Sequence, residues 1–344
     1  MFSRVASSAV LLVFVLPWTA ITGAADYFAI SSMARQVQSA KWPSVQGTII
    51  RSEVEAVRSN KSTTYGLKVA YTYSVDGQRY EGSKYRFAAW RSGDAGYAEE
   101  LVVRYPLGTS IPVYYRPGQP SEAVLQAGLG SSELFLLMVL LPFNLVALWL
   151  GAMVGWAWKP EPPLLSTFFR EDGSECVTLD EQWTAAWVFL AMGGSALACV
   201  VLGGLAGGFN APLPVGVGAW GAVIACGVLA GLWSRARRKA GHYDLRLHTP
   251  TRNLSLPPFS GRKHRLDVRW RDVRSLRVEP QVRTPQGRQV TRYHLIVDRA
   301  LSGGGVSQEA IASFIRQEQA EALARWLRTH LKVGESAPGE QRSA

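Results

Sequence analysis

AAWVFLAMGGSALACVVLGGLAGGFNAPLPVGVGAWGAVIACGVLAGLW, residues 185–233, is the stretch that decides the fold. These 49 residues contain no Asp, Glu, Lys, Arg or His. One bilayer crossing needs about 20 apolar residues, so the stretch is long enough for two. The segment 210–214, Asn-Ala-Pro-Leu-Pro, is typical of a turn, because proline cannot continue a helix. The sequence therefore predicts an integral membrane protein with a helical hairpin, whose two spans cover 185–206 and 213–233.

Two more apolar segments precede the hairpin. Residues 1–30 predict either a retained N-terminal span, which we favour, or a signal segment cleaved near the small residues at 22–25. Residues 133–158 predict a second span, with three tryptophans toward its far end, where interfacial aromatics gather. The predicted fold class is thus a multi-pass α-helical membrane protein with four spans, two soluble β-domains and a loop at 159–183.

Charge is distributed unevenly along the chain. The net charge is +11, and residues 234–344 hold 22 Lys and Arg against 10 Asp and Glu, so this tail carries the excess. A basic domain beside a membrane favours anionic lipid over nucleic acid as its partner. The cluster that directly follows the hairpin is expected at the lipid headgroups: Arg235, Arg237, Arg238 and Lys239.

Basic residues also predict the orientation, because loops rich in Lys and Arg stay in the cytoplasm. The cluster at 235–239 should be cytoplasmic. Counting back over four spans makes 31–132 extracytoplasmic and both the 159–183 loop and the C-terminus cytoplasmic.

Residues 42–126 predict an extracytoplasmic, all-β domain with one short helix near 94–103. Apolar and polar residues alternate from Tyr65 to Val75, which indicates a strand with one buried face. Asp76-Gly77 is a strong hairpin signal, and 78–87 should return as the partner strand. Upstream, 45–57 predicts either a strand pair or one long strand.

Five motifs lie in this domain, namely WPSVQGTI (42–49), VAYTY (69–73), GQRYEG (77–82), YPLG (105–108) and VYYRP (113–117). Together they resemble the bacterial membrane-protein family called domain of unknown function 3592, over about 42–157. The family implies a membrane-anchored β-domain and no established activity, so it supplies no catalytic residues. Its usual Tyr-Asn-Pro is Tyr115-Arg116-Pro117 here, a departure that affects a turn. We expect the chain to be a multi-pass protein of a bacterial inner membrane.

Residues 242–332 predict a cytoplasmic domain of several strands and one C-terminal helix, followed by a disordered tail over 333–344. Strand alternation is clear at 243–247, 253–256, 269–279 and 293–297. Residues 316–331 place an apolar stripe on one helix face. The order of these elements, with Trp270-Arg271-Asp272-Val273, resembles pleckstrin-homology-like domains of bacterial membrane proteins. The stripe comprises Ala320, Leu323, Ala324, Leu327 and Leu331.

Candidate binding residues outside the membrane are aromatic. Trp42, Tyr80, Tyr85 and Trp90 could form an interaction surface of the outer domain, or they could be core residues of a small sandwich. No His-x-x-x-His or Cys-x-x-Cys pairing suggests a metal, and no nucleophile comes with a base. We therefore expect no cofactor and no enzymatic activity. An enzyme would require a pocket converging on His242, His264 or His294.

The leading hypothesis is a non-enzymatic scaffold of the cell envelope that couples partners on both faces of the membrane. Its expected partners are membrane lipids and envelope proteins, with a homo-oligomer left open and nucleic acid excluded. The alternative is a transporter or handler of lipid or small uncharged solutes that uses the glycine-rich hairpin. The hairpin glycines more simply let the helices pack closely, as small residues do in membranes.

Overall fold

The computed structural model of the chain describes residues 2–59, 62–87, 89, 91–158, 163–179, 184–205, 211–259, 262–283, 289–301 and 304–333. The chain forms two units, which are described separately. The first comprises Met1–Lys159 and Trp187–Ala230, and the second comprises Pro160–Ala186 and Gly231–Ala344. The two ends of the predicted helical hairpin therefore belong to the second unit, and the rest of its helices belongs to the first.

The first unit contains helices and one sheet. In chain order these are α1 (Phe2–Ser39), β1 (Ser44–Ser59), β2 (Ser62–Val75), β3 (Gln78–Gly82), α2 (Ala95–Arg104), β4 (Ser110–Arg116), β5 (Gln119–Val124), α3 (Ser131–Ala157), and most of α4 (Thr184–Leu205) and α5 (Leu213–Lys239). Four of these helices, α1, α3, α4 and α5, are long and apolar enough to cross a membrane. The expectation of four apolar helices accompanied by β-domains is met.

The sheet is antiparallel, with strand order β3-β2-β1-β4-β5. The segment 45–57 is one long strand rather than a strand pair. The predicted alternation in β2 buries Val69, Tyr71, Tyr73 and Val75. Helix α2 begins after Asp94, whose carboxylate accepts a hydrogen bond from the Gly96 N–H, and it packs on β1 and β2. The domain is therefore a sheet with one helix rather than strictly all-β.

Two glycines of the family motifs allow close approaches within this sheet. A Cβ on Gly82 would clash with the Tyr71 ring, and a Cβ on Gly47 would lie 2.5 Å from Val113 Cγ2. No larger residue fits beneath the Tyr71 ring. The Tyr71 hydroxyl then reaches two main-chain carbonyls, those of Lys84 and Ala123, each at 2.9 Å.

Helix α1 packs against α3. Four of its residues at seven-residue spacing are buried, Val15, Thr22, Ala29 and Gln36, so one face of the helix is covered along its length. The helix continues to Ser39, past the predicted limit at residue 30. The apolar composition ends near 30, but side chains of the last two turns make buried contacts with the β-domain, which hold those turns helical.

Glycines allow α3, α4 and α5 to approach one another closely. A Cβ on Gly227 of α5 would lie 2.5 Å from Met192 Cγ of α4, and one on Gly203 would lie 2.9 Å from the Phe135 ring of α3. These two glycines thus have the packing role expected of small residues. A Cβ on Gly218 or Gly221 would meet no described atom within 4 Å, so packing does not explain these two.

The second unit contains two antiparallel sheets and one helix. Its elements are β6 (Phe168–Phe169), β7 (Glu175–Thr178), β8 (Asp244–His248), β9 (Asn253–Leu256), β10 (Leu266–Arg269), β11 (Val273–Arg283), β12 (Val290–Ala300), β13 (Val306–Phe314) and α6 (Gln317–Leu331). The sheet orders are β10-β9-β8-β7-β6 and β11-β12-β13. All five residues of the apolar stripe predicted for α6 are buried.

Two expectations for this unit were wrong. The segment 159–183 is not only a loop, because β6 and β7 lie within it and β7 pairs with β8, Val177 opposite Leu245. Its strands are too short to be recognised without this partner, which follows the whole hairpin. The strand expected over 269–279 is broken by a 3-10 turn at Trp270–Asp272. The β-sheet domain of the second unit is therefore discontinuous in sequence, because the α4–α5 hairpin is inserted between its paired strands β7 and β8.

Candidate functional site

In the first unit, strands β1–β5 and helix α2 form the β-domain. This domain is joined to α1 and α3 through a cluster of buried polar side chains, which we call the polar junction: Gln36, Ser39, Arg86, Ser132 and Glu133. Each of these side chains is at most 5% exposed. Buried polar groups cost free energy unless they are hydrogen-bonded, so their partners determine what the junction does.

Gln36 connects α1 to the β-domain with every atom of its amide group. Its Nε2 donates to the carbonyls of Gln126 (2.7 Å) and Gly128 (2.9 Å). Its Oε1 accepts from the Phe87 N–H at 3.0 Å. Ser39, one turn further, accepts from the Gly128 N–H at 3.1 Å. The end of α1 is thus bonded to two separate segments of the domain.

Arg86 connects the domain to α3. Its Nη1 donates to Ser132 Oγ at 2.6 Å, and its Nη2 lies 3.0 Å from Glu133 Oε2. Glu133 occupies the first turn of α3 and accepts from the Gly130 N–H at 2.9 Å, a position where negative charge favours a helix. A Cβ on Gly130 would lie 2.5 Å from Arg86 Nη2, so the guanidinium needs glycine there.

A second polar contact joins the same two helices at mid-length. Asn144 Nδ2 of α3 donates to Asp26 Oδ1 of α1 at 2.8 Å. Asp26 lies 13 residues before Ser39 and Asn144 lies 13 after Ser131, about 20 Å along each helix. Ionisable residues at such depth in an apolar helix pair are costly and usually functional.

The end of α5 carries the predicted basic cluster. Arg237 lies over the Trp233 ring, 4.6 Å from its centroid, and its Nη2 is 3.1 Å from His242 Nε2. Arg237 is therefore engaged within the protein, and the side chains of Arg235, Arg238 and Lys239 are solvent-exposed. Basic and aromatic residues together at the end of an apolar helix are typical of a membrane interface. Burial, with Arg237 and Arg265 nearby, lowers the pKa of His242.

Arginines from other elements hold this end of α5 by its free carbonyls. Arg170 Nη1 donates to Lys239 O (2.9 Å), Arg246 Nη2 to Ala240 O (2.6 Å) and Arg265 Nη2 to Gly241 O (2.6 Å). Cations are favourable at helix C-termini, and Arg170 is neutralised by buried Asp244, whose Oδ2 is 2.9 Å from Nε. Side chains of the second unit therefore hold the C-terminal end of α5.

The aromatic residues predicted as an outer surface do not share one environment. Tyr85 is 4% exposed and its hydroxyl lies 3.3 Å from that of Tyr97, so it is a core residue and not a surface one. Tyr80 is half-buried and stacks on Tyr73. Trp42 is half-buried with its ring edge against Phe87. Trp90 lies outside the described residues. Of the two alternatives left open for Tyr85, the structure shows the core one, and composition alone could not distinguish them.

The histidines considered for catalysis, His242, His264 and His294, line neither of the two cavities described for the second unit. In the part of the chain that the structure describes, no group of three His, Cys, Asp or Glu is close enough to hold a metal.

The polar junction and the Asp26–Asn144 contact are not predicted by the sequence. A signal for the first exists, since Ser131-Ser132-Glu133 directly before an apolar run indicates a helix start. Its partners cannot be found from that signal, because Arg86 is 47 positions away from Glu133. For the second, Asn144 stands out as a polar interruption of its span, but its bonding to Asp26 requires the three-dimensional pairing of the helices.

Comparison with known proteins agrees with the resemblance found in the motifs. Residues 45–130 match the family model described as Domain of unknown function (DUF3592). The matched segment runs from β1 to the residue before α3, so it includes Arg86 and ends just short of Glu133. No curated protein and no solved structure matches the chain. The resemblance to the domain-of-unknown-function family 3592 is thus confirmed over the β-domain.

Proposed function

We propose that this chain is a non-enzymatic membrane scaffold that couples partners of its β-domain on one face of the membrane to partners of its basic domain on the other. The observation that carries the proposal is the polar junction. A domain that was only tethered would be joined by exposed, flexible linkers. Here Gln36 and the Arg86–Glu133 pair are buried, so a displacement of the β-domain must move α1 and α3 or break these contacts.

Two contacts support a topology in which the two domains lie on opposite faces. Strands β7 and β8 are hydrogen-bonded, so the ends of the α4–α5 hairpin belong on one side of a bilayer. Ser131, at the start of α3, donates to the carbonyl of Pro212 at 2.7 Å, which supports a shared face for the hairpin turn and the β-domain. The positive-inside rule then favours a cytoplasmic second unit and an extracytoplasmic β-domain. The membrane we propose is a cell inner membrane.

The second unit is the proposed cytoplasmic adaptor. Two antiparallel sheets followed by a C-terminal helix support the likeness to pleckstrin-homology-like domains. Anionic lipid is its proposed partner at the membrane, through exposed Arg235, Arg238 and Lys239 beside Trp233. Each basic residue near a charged surface contributes roughly 1 kcal/mol to such binding.

The proposed site for a protein partner on the outer face is the β1–β2 ribbon. Strand β4 pairs with β1 only at Ser44–Thr48, and β3 pairs with β2 only at Tyr71–Val75. Beyond these positions, in the part of the ribbon that the structure describes, the outer edges are open except where Ile49 bonds to the main chain of Gly108 and Thr109 and at the Tyr65–Ser92 bridge. Open edges accept an extended segment of another chain, which includes a second copy of this protein.

A photo-crosslinking experiment tests the scaffold proposal. A photoreactive residue replaces Val57 on the ribbon in the full-length protein, and a matched one replaces Val103, an exposed valine of α2. We expect a discrete protein adduct in native membranes at 57 and none at 103. Adducts to lipid alone, or the same adducts at both positions, would contradict the proposal.

Handling of lipid or a small uncharged solute is the second candidate function. The observation that favours it is the polar contact between Asp26 and Asn144 at mid-length of two apolar helices. Proteoliposomes containing the wild-type chain would scramble lipid or release a neutral solute, and Asp26→Leu would slow this flux. Equal flux with wild-type and Asp26→Leu proteins would exclude a role for this contact in transport.

A further inference from the structure

Half of the residues that line a groove of about 640 Å³ in the second unit are arginine or lysine. It is built where three separate segments meet, namely the β8–β9 turn, the 3-10 turn after β10 and the end of α6. The Trp270 N–H donates to the Arg252 carbonyl at 2.9 Å, which holds the first two segments together. The lining residues are Thr251, Arg252, Arg269, Trp270, Arg271, His330, Leu331 and Lys332.

The positive charge of this groove is poorly balanced by the protein. Within the described part of the chain, no carboxylate forms an ion pair with Arg252, Arg269 or Lys332. Arg271 has Asp272 at 3.7 Å, but its side chain is 73% exposed, so that pair is weak. The carboxylate of Glu175 lies 3.4 Å from His330. Like charges held together repel one another unless an anion joins them.

Backbone strain is concentrated in the same groove. Among the described residues other than glycine, only Asp76, Arg252 and Lys332 have positive φ angles, and the last two line the groove, at 52° and 53°. Asp76 lies in an Asp-Gly turn, where such an angle is usual. Glycine or asparagine is the usual residue both at a hairpin turn of this kind and directly after a helix. Cations at strained positions point to function, since strain persists where a side chain is needed.

One more polar group of the groove lacks a partner. The indole N–H of Trp270 is buried and has no hydrogen-bond acceptor among the described residues. Arginine side chains bind phosphate through paired N–H donors, and this groove offers three of them with one lysine. We propose that the groove binds a phosphate-bearing small molecule. The phosphate belongs either to a soluble ester or to a lipid headgroup, and this site is independent of the scaffold role.

The test uses the full-length protein in detergent and measures binding by calorimetry. The probes are inorganic pyrophosphate for a soluble source, dihexanoyl phosphatidic acid for a lipid source, and dihexanoyl phosphatidylcholine as the neutral comparison. The variant is Arg252→Asn with Lys332→Asn, because asparagine accepts the positive φ of both positions. The matched control is Arg292→Gln, an exposed arginine of β12 outside the groove.

We expect the double variant to bind at least about tenfold more weakly than wild type, since it loses two charge-assisted contacts. Its thermal midpoint without ligand should equal or exceed that of wild type, because strain is relieved, and Arg292→Gln should bind normally. Binding of pyrophosphate assigns a soluble ester, and binding of phosphatidic acid alone assigns a lipid. The proposal is overturned if neither probe binds, or if the double variant binds as tightly as wild type.

Discussion

Arg86 Nη2 and Glu133 Oε2 lie 3.0 Å apart, with the two side chains only 5% and 1% exposed. Arg86 follows the last residues of the β3 hairpin, and Glu133 lies in the first turn of α3. Burying an ion pair gains little net stability, because desolvation offsets the attraction. Arg86 Nε and Glu133 Oε1 also lack partners among the described residues, which adds to the cost. We therefore interpret the pair as a contact that fixes the domain on the helix.

Removing one member of this pair should be strongly destabilising. In Arg86→Met the Glu133 carboxylate stays buried without its cation, which costs about 3–5 kcal/mol. Denaturant titration of the detergent-solubilised protein measures this loss. The matched control is Arg116→Gln, whose pair with Glu122 is half exposed and contributes about 1 kcal/mol or less. Equal losses for the two variants would contradict the assigned role of the junction.

Replacing both members separates stability from coupling. Arg86→Met with Glu133→Leu leaves no buried charge, so it should recover most of the stability lost in Arg86→Met. We expect the double variant still to crosslink its outer partner at residue 57. If the Arg86–Glu133 pair transmits the position of the β-domain, proteins that bind the second unit will no longer co-purify with that outer partner. Co-purification at the wild-type level would mean that the pair serves folding alone.

The Asp26–Asn144 contact predicts an asymmetric response to substitution. Asn144→Leu removes the donor and leaves an Asp carboxyl in an apolar helix pair, whereas Asp26→Asn keeps a hydrogen-bonding side chain opposite Asn144. Asn144→Leu should destabilise the α1–α3 contact by about 1–2 kcal/mol, and Asp26→Asn by less. Disulfide trapping between cysteines placed on the two helices measures this contact, and the opposite order of effects would exclude the hydrogen bond as its source.

The topology can be tested with single cysteines in a chain whose three native cysteines are replaced. Arg79→Cys on β3 should react with an impermeant thiol reagent in intact cells. Arg274→Cys on β11 should react only after lysis. Both arginines are exposed, so access depends on the membrane and not on burial. Labelling of the second site in intact cells would reverse the proposed orientation.

The sequence predicted those parts of the fold that depend on local patterns. Apolar length indicated the four helices, alternation indicated β2, and helical spacing indicated the buried stripe of α6. These patterns need no knowledge of what each element contacts. The resemblance over the β-domain was likewise found from short motifs, and the family match confirms it.

Features that depend on distant pairing could not be predicted. Strand β7 is only four residues long and becomes recognisable through β8, which lies beyond two apolar helices. The groove combines residues from 251 to 332, and its strained positions are defined by φ angles that no residue type at those sites suggested. The pairing of Arg86 with Glu133 could not be predicted either, because each side chain taken alone resembles a solvated surface charge.

Acid should destabilise the second unit through His242. Burial and the nearby Arg237 and Arg265 lower its pKa, so the folded state disfavours the protonated ring. Below the ordinary histidine pKa of about 6.5 the unfolded chain takes up a proton that the folded one resists. The stability that the neutral His242 ring confers is therefore complete above a pH of about 6.5. It is lost as the pH falls toward the lowered pKa of His242 in the folded state. Thermal midpoints between about pH 7.5 and 5.5 should decline less steeply in His242→Gln than in wild type. Parallel slopes for wild type and His242→Gln would show that another group is responsible.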